Sequence, residues 1–381
     1  MNDVKSVAEI NQYVGTSVNP LETPDTVYEL YSVPSFDGQY PEIIKGANIG
    51  STKVTVEAGD VLVCKINPRI NRVWVVKHHT EHQLLASSEW IVIRNHDIDS
   101  DYLKWYFSSP TFRELLTSQV AGIGGSLTRA QPKQVAKYPV PVPAISVQRH
   151  IATVLNKVND LIILRKQVLA KLDELVKARF FEMFGDTILN PFGWKKDLLG
   201  TVCDVRDGTH DSPQYFESGY PLVTSKNVTG GKIDLTDCSL ICEADFKKIN
   251  ERSKVDIGDI IMPMIGTVGK PVIVDIEPNF AIKNVSLIKF KADSRVLNIY
   301  IRALLQSDYF DDAVLSKVRG GTQKFISLGD IRKLEVLVPP MELQEQFATF
   351  IKQTDKSKVA VQKALDEAQL LFDSLMQKYF G

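Results

Sequence analysis

From Val147 to Phe184 apolar residues return every three or four positions with no Gly or Pro between them. Read as a heptad, Ile151, Val158 and Leu172 fall at one core position, and Val154, Leu161, Val168 and Leu175 at the other. Leu155, Ile162, Leu169 and Val176 widen the stripe until it needs a partner. At 1.5 Å per residue the pattern predicts a helix of roughly 57 Å.

The pattern comes back once. A shift of 196 residues lays Val147-Gln148 on Leu343-Gln344, Ala152-Thr153 on Ala348-Thr349, and Met183-Phe184-Gly185 on Tyr379-Phe380-Gly381. The second copy carries Phe347, Phe350, Ile351, Val361, Leu365, Leu371, Phe372 and Leu375, with a polar middle at Thr354, Ser357 and Lys358. Two long apolar stripes are most simply buried against each other, antiparallel.

The remaining chain has a different texture. Residues 1 to about 20 are polar and weakly patterned, and read as a loose lead-in. From Val27 short β-branched runs alternate with turn signals: VYELYSV, STKVTVEAGDVLVCKI, NRVWVVK, LLASS and EWIVIRN. These predict strands, with a turn at Ala58-Gly59-Asp60. Asp101 to Gln119 reads as two short helices divided at Pro110, and Pro139, Pro141 and Pro143 fit only an extended or edge segment. After Gly185 the same order recurs. Gly258-Asp259 matches Gly59-Asp60, Tyr300 to Val314 reads as a helix matching Tyr102 to Leu115, Gly320-Gly321-Thr322 matches Gly124-Gly125-Ser126, and Lys333 to Pro339 matches Lys137 to Pro143. The fold class predicted is α/β, or mixed α+β: two pseudo-symmetric globular units separated by two long helices packed as an antiparallel coiled coil. Its segments are 1–146, 147–185 (long helix), 186–342 and 343–381 (long helix).

Composition narrows the function classes. With 381 residues, 44% hydrophobic and 24% charged, the chain is long enough for two or three folded domains. A net charge of -1 argues against a basic coat over the whole surface, though not against local basic patches. The N-terminus lacks the basic start and apolar core of a secretion signal, and no run is apolar enough for a membrane span, so a cytoplasmic location is expected. Cys64, Cys203, Cys238 and Cys242 lack paired spacing and fit reduced thiols.

No catalytic motif stands complete in the sequence. Asn190-Pro191-Phe192 lacks the second proline of the amino-methyltransferase signature. In Gly266-Thr267-Val268-Gly269-Lys270 the glycines are too close for a phosphate loop. His78-His79-Thr80-Glu81-His82 is not HExxH and reads as a polar hairpin tip. No cofactor or metal site is expected in this chain, and it is expected not to be an enzyme.

The combination of features resembles one family. Two variable units, each closed by GG(S/T) and a VPVP or VLVPP strand, precede helices that open with Gln and end in FG. GDVLVCKINPRINRVW at 59 to 74 and RDGTHDSPQYFESGYPLVTSKNV at 206 to 228 add to the likeness. The chain thus resembles the specificity subunit of a Type I restriction-modification system. That resemblance implies two target recognition domains, each reading one half of a split, asymmetric site in double-stranded DNA. It also implies two methyltransferase subunits that use S-adenosylmethionine, restriction/translocase subunits that use ATP and Mg, and no membrane partner. Arg165, Lys166, Lys171 and Lys177 stand as candidates for the methyltransferase contact. The alternative is a structural adaptor whose two α/β units bind proteins and not DNA.

Candidate DNA contacts follow from donor chemistry. Lys65, Asn67, Arg69 and Arg72 lie just after the Gly59-Asp60 turn and its strand, a cluster suited to phosphates or a guanine edge. Ser126, Thr128, Arg129 and Lys133, and in the second unit Arg319, Thr322, Gln323 and Lys324, follow glycine turns that permit close approach of backbone to phosphate. Arg206, Thr209, His210, Lys226 and Asn227 lie in the opening of the second unit, and Thr267 and Lys270 in its MIGTVGK loop.

Overall fold

Uninterrupted apolar periodicity gives two helices of 40 residues each, Ile145–Phe184 and Met341–Phe380. The computed structural model describes residues 3–118, 120–121, 128–265, 269–313 and 325–381. They form two compact units, Met1–Lys166 with Lys363–Gly381, and Gln167–Gln362. Both unit boundaries therefore fall inside the long helices.

In each unit the two helices run antiparallel. Within the first, Arg165 Nη1 donates to the Ala364 carbonyl at 2.7 Å. Ile151 and Leu155 share a core with Met376 and Phe380. Within the second, Lys358 Nζ meets Asp173 Oδ1 at 2.6 Å, and Phe180 and Phe184 pack on Phe347 with ring centroids 5.6 and 5.4 Å away.

The buried rows differ from the expected ones. Leu155, Ile162, Leu169 and Val176 share the inner face with Ile151, Val158, Arg165 and Leu172, whereas Leu161, Val168 and Leu175 are exposed. Adjacent rows on this helix are both apolar, so periodicity alone does not choose between them. The row shared by both alternatives includes Arg165, whose guanidinium reaches a carbonyl on the facing helix. Arg165 accordingly stands on the inner face, not on the charged outer face expected for it. Opposite, the inner row runs through Phe347, Ile351, Thr354, Lys358, Val361, Leu365, Ala368 and Phe372. Its polar members are satisfied: Thr354 Oγ1 donates to the Phe350 carbonyl at 3.0 Å, and Lys358 reaches Asp173.

The first unit holds a five-stranded and a three-stranded sheet. In the five-stranded sheet the order is Ser17–Val18, Lys53–Thr55, Gln83–Ser87, Val27–Tyr31, Glu42–Lys45, and Val27–Tyr31 runs parallel to Gln83–Ser87. In the other, Val61–Cys64 lies between Val73–Val75 and Trp90–Ile93, antiparallel to both. The second unit repeats the scheme: Ile260–Pro263 lies between Val272–Ile273 and Val285–Lys289, and Tyr220–Val223 runs parallel to Ala281–Ile282.

The expected lead-in is ordered. Asp3–Ser6 pairs antiparallel with Pro139–Val142, and Ser6 with Glu9 forms a capping box on the short helix Val7–Ile10, whose Val7 and Ile10 are buried. Four residues are too few to show a period, and the partner strand is remote in sequence. Its counterpart is Lys195–Leu198 on Glu335–Val338. The helix expected over Tyr300 to Val314 is two, Asn298–Leu305 and Asp308–Ala313, broken at Gln306-Ser307. This makes it more like the first unit, where Ser100–Ser108 is followed by Pro110–Ser118.

Shared polar fittings hold the units in shape. The glutamine that opens each long helix is buried: Gln148 accepts from Asp99 N–H and donates to the Pro143 carbonyl, and Gln344 accepts from Leu297 N–H and donates to the Pro339 carbonyl. Gly59 and Gly258 take φ of 95° and 91°, where a side chain would be strained, and the following Asp60 and Asp259 are buried. Asp60 pairs with Arg94 and Asp259 with Lys289.

The FG ends are anchored in the cores. Phe380 packs in the first unit on Tyr102 and Tyr106, with centroids 5.6 and 5.8 Å away, and Phe184 packs in the second on Tyr300 at 4.8 Å. Among the described residues no helix is long and apolar enough to cross a membrane.

Candidate nucleic-acid interface

In the first unit most of the candidate contacts gather at the end of the three-stranded sheet remote from the Gly59-Asp60 turn. The central strand runs out at Cys64, and Ile66 bridges Arg129, so the segment that begins at Thr128 is pinned to this sheet end. Asn67 N–H donates to the Thr128 carbonyl and Ala130 N–H to the Lys65 carbonyl, each at 2.9 Å. Asn67 and Asn71 adopt left-handed backbone at φ 46° and 48°, so the chain reverses tightly around the turn Pro68–Ile70.

This brings together Lys65, Asn67, Arg69, Arg72, Thr128 and Arg129. Arg69 is exposed and has no ion-pair or hydrogen-bond partner among the described residues. Arg72 is half-buried beside Cys64, and its Nε is enclosed without a hydrogen-bond partner among the described residues. Thr128 is buried, and Arg129 is exposed with Nη2 3.2 Å from Glu89 Oε1. Lys133 is exposed on the short helix Pro132–Val135, outside this cluster of contacts. Lys65, Arg69 and Arg72, which lack a carboxylate partner among the described residues, stand beside Arg129, which has one. Together they make a local positive surface on a chain of net charge -1.

The second unit uses the same frame. Ile265 bridges Phe325 as Ile66 bridges Arg129, and Ile326 N–H donates to the Met264 carbonyl at 3.0 Å. Lys270, before the strand Val272–Ile273, occupies the place of Arg72 and is exposed without a partner among the described residues. Ser126, Thr267, Arg319, Thr322, Gln323 and Lys324 lie outside the described residues.

The opening of the second unit is a polar network. His210 Nδ1 lies 2.9 Å from Asn284 Oδ1, and Nε2 lies 2.9 Å from Asp207 Oδ2. Both partners accept, so the ring donates from both nitrogens only as the imidazolium, and the bonds to Asn284 and Asp207 raise its pKa above the ordinary value. Asp207, itself buried, also pairs with Arg252. Thr209 bridges Lys283, and Gly208 fits because a Cβ there would stand 2.4 Å from the Ile282 carbonyl oxygen.

Two expected contacts have evident structural work. Arg206 pairs with Asp204 at 2.6 Å and donates to the Arg252 carbonyl, and the hydrogen bond from Arg206 holds the Asp204 carboxyl below its usual range. Asn227 is buried and accepts from the Thr224 N–H and hydroxyl, whereas Lys226 beside it is exposed on the same turn. Sequence reasoning passes over Glu89 and Asn284. Neither lies in a motif, and only the strand pairing places them at the sheet ends. The loop His78–His82 is held by the buried Glu29, which accepts from His79 N–H, Thr80 N–H and the Thr80 hydroxyl.

Residues 191–368 match the family model of the Type I restriction modification DNA specificity domain. The chain is similar to the MjaIX specificity subunit of Methanocaldococcus jannaschii, 26% identical over 75% of this chain and 69% of the relative. It is also similar to the EcoKI specificity subunit of Escherichia coli, 21% identical over 74% of this chain and 65% of the relative. Its fold matches the Type I restriction-modification S subunit from M. genitalium with a TM-score of 0.57 at 13% identity, covering 100% of this chain and 96% of that one. A chain from a study of complex assembly in the type I R-M system gives 0.58 at 19% identity, covering 99% and 97%.

Proposed function

We propose that the chain is a specificity subunit of a Type I restriction-modification system, and that each of its compact units reads one half of a split DNA site while partner subunits carry the reactions. A few side chains at one sheet end contact only a few base pairs, so a rare site requires two readers. The observation that carries this reading is the repeated sheet end itself. The same bridge recurs, Ile66 to Arg129 and Ile265 to Phe325, with different side chains around it. Unlike surfaces on one frame read unlike half-sites, and the site is asymmetric.

In this reading the chain is non-catalytic and works in the cytoplasm. Its partners are double-stranded DNA, two methyltransferase subunits and restriction/translocase subunits. S-adenosylmethionine, and ATP with Mg, belong to those partners. Lys166, Lys171 and Lys177, on outer positions of the first long helix, are available to the methyltransferase. The test is retention of the chain, with and without methyltransferase, on duplexes of random sequence. Enrichment of one sequence class by the assembled complex supports the proposal. Retention that is indifferent to sequence, or none, returns the chain to the alternative of a protein-binding adaptor.

A further inference from the structure

Two residues that no motif singled out occupy one place in the two units. In the first unit the two-residue connection Ser88-Glu89 joins the strand Gln83–Ser87 of one sheet to Trp90–Ile93 of the other. In the second, Lys283-Asn284 joins Ala281–Ile282 to Val285–Lys289. The registers agree: Cys64 faces Trp90 as Pro263 faces Val285. Glu89 and Asn284 therefore both stand at the sheet end that carries the Ile66 and Ile265 bridges.

Each presents hydrogen-bonding capacity that the protein leaves open. Glu89 is an acid among Lys65, Arg72 and Arg129, where a carboxylate opposes binding of phosphate. Arg129 takes only Oε1, and Oε2 is enclosed and accepts from no described residue. Leaving such an atom unsatisfied is costly. Glu89 also lines, with Ile66 and Ser87, an open cavity of about 340 Å³ whose other walls come from residues 30–53 around the five-stranded sheet. Asn284 sits in left-handed backbone at φ 56° with Oδ1 held by His210, and its Nδ2 donates to no described residue. The ring of His210 thus fixes which way the amide points.

Resting on the proposed reading of DNA by each unit, we propose that Glu89 and Asn284 are the paired specificity-determining residues, one for each half-site. Glu89, its side chain 25% exposed, turns its carboxylate outward from Arg129 and accepts from the exocyclic amino group of a cytosine or adenine. Asn284 takes an adenine through its amide. His210 is a positioning residue for Asn284. The acid in one unit and the amide in the other make the halves unlike at this position.

The experiment maps methylated motifs in cells expressing the methyltransferase with the unaltered chain, Glu89→Gln or Asn284→Asp. The second substitution keeps an acceptor for His210, turns the free donor into an acceptor and adds a negative charge. Each variant is expected to change discrimination at one base pair, by roughly 5- to 150-fold, with Glu89→Gln acting in one half and Asn284→Asp in the other. A motif unchanged in both halves, with at most a uniform fall in methylation, overturns the assignment and leaves the DNA-reading function standing. Absence of any motif with the unaltered chain overturns that function and this proposal together. If a variant fails to assemble, duplexes whose bases lack single exocyclic amino groups decide on the unaltered complex. Loss of binding at one such position in each half supports the assignment, and indifference at every position defeats it.

Discussion

Phe180 and Phe181 are neighbours of identical chemistry with opposite fates. Phe180 is 6% exposed, packed on Phe184, Tyr300 and Phe347 with centroids 5.1, 5.7 and 5.6 Å away. Phe181 is 62% exposed. Truncating a buried phenylalanine removes its transfer free energy and leaves a cavity, together about 3–5 kcal/mol. Each kcal/mol lowers the melting temperature of a unit this size by about 2–4 °C, so Phe180→Ala should melt the second unit on the order of 10 °C lower. Phe181→Ala should stay within about 0.5 kcal/mol of the parent. Calorimetry of the full chain, which resolves the units if they melt separately, reads both variants. Equal losses from the two substitutions would refute the helix register and the joining of Phe180 to the core of the second unit.

Three further outcomes follow from the same geometry. Asp60→Ala removes the buried carboxylate that holds the Arg94 guanidinium, whose pKa is raised mainly by that hydrogen bond, and that accepts from Glu57 N–H; with Arg94 left to Glu57 alone it should cost the first unit roughly 1–3 kcal/mol in denaturant titration, and a neutral effect would remove this pair from the supports of the Gly59 turn. Arg69→Ala should weaken DNA binding by the assembled complex across sequences and lower the salt slope by about 1, and an unchanged affinity and slope would take it off the contact list. Because the bonds to Asn284 and Asp207 raise the His210 pKa, the imidazolium is fully present below roughly pH 6.5 and is lost as pH climbs through the higher folded value. Discrimination in the second half-site should therefore fall with rising pH in the parent and not in His210→Gln, and a flat parent profile would dismiss His210 as a positioning residue.

Much of this architecture is legible in the chain because it is said twice. Repetition marks the helices, the Gly-Asp turns, the opening glutamines and the FG ends without any structure in hand. What periodicity does not resolve is which of two adjacent apolar rows faces inward, since the two differ only in what lies opposite. Here the row of Val154, Leu161, Val168 and Leu175 yields to that of Leu155, Ile162, Leu169 and Val176. Nor does local pattern reveal that Asp3–Ser6 is a strand, because its partner is Pro139–Val142. The interface is half legible. Donors clustered near Lys65 are visible as composition, and strand register brings Arg129 to them. Glu89 and Asn284 are invisible one at a time, and acquire meaning only when the two units are laid on each other.

The most direct measurement is the methylated motif written by the unaltered chain with its methyltransferase, read across a whole genome. The account predicts one motif of two dissimilar specified halves divided by a fixed run of unspecified bases. A single contiguous motif, two identical halves, or methylation without any motif would contradict it.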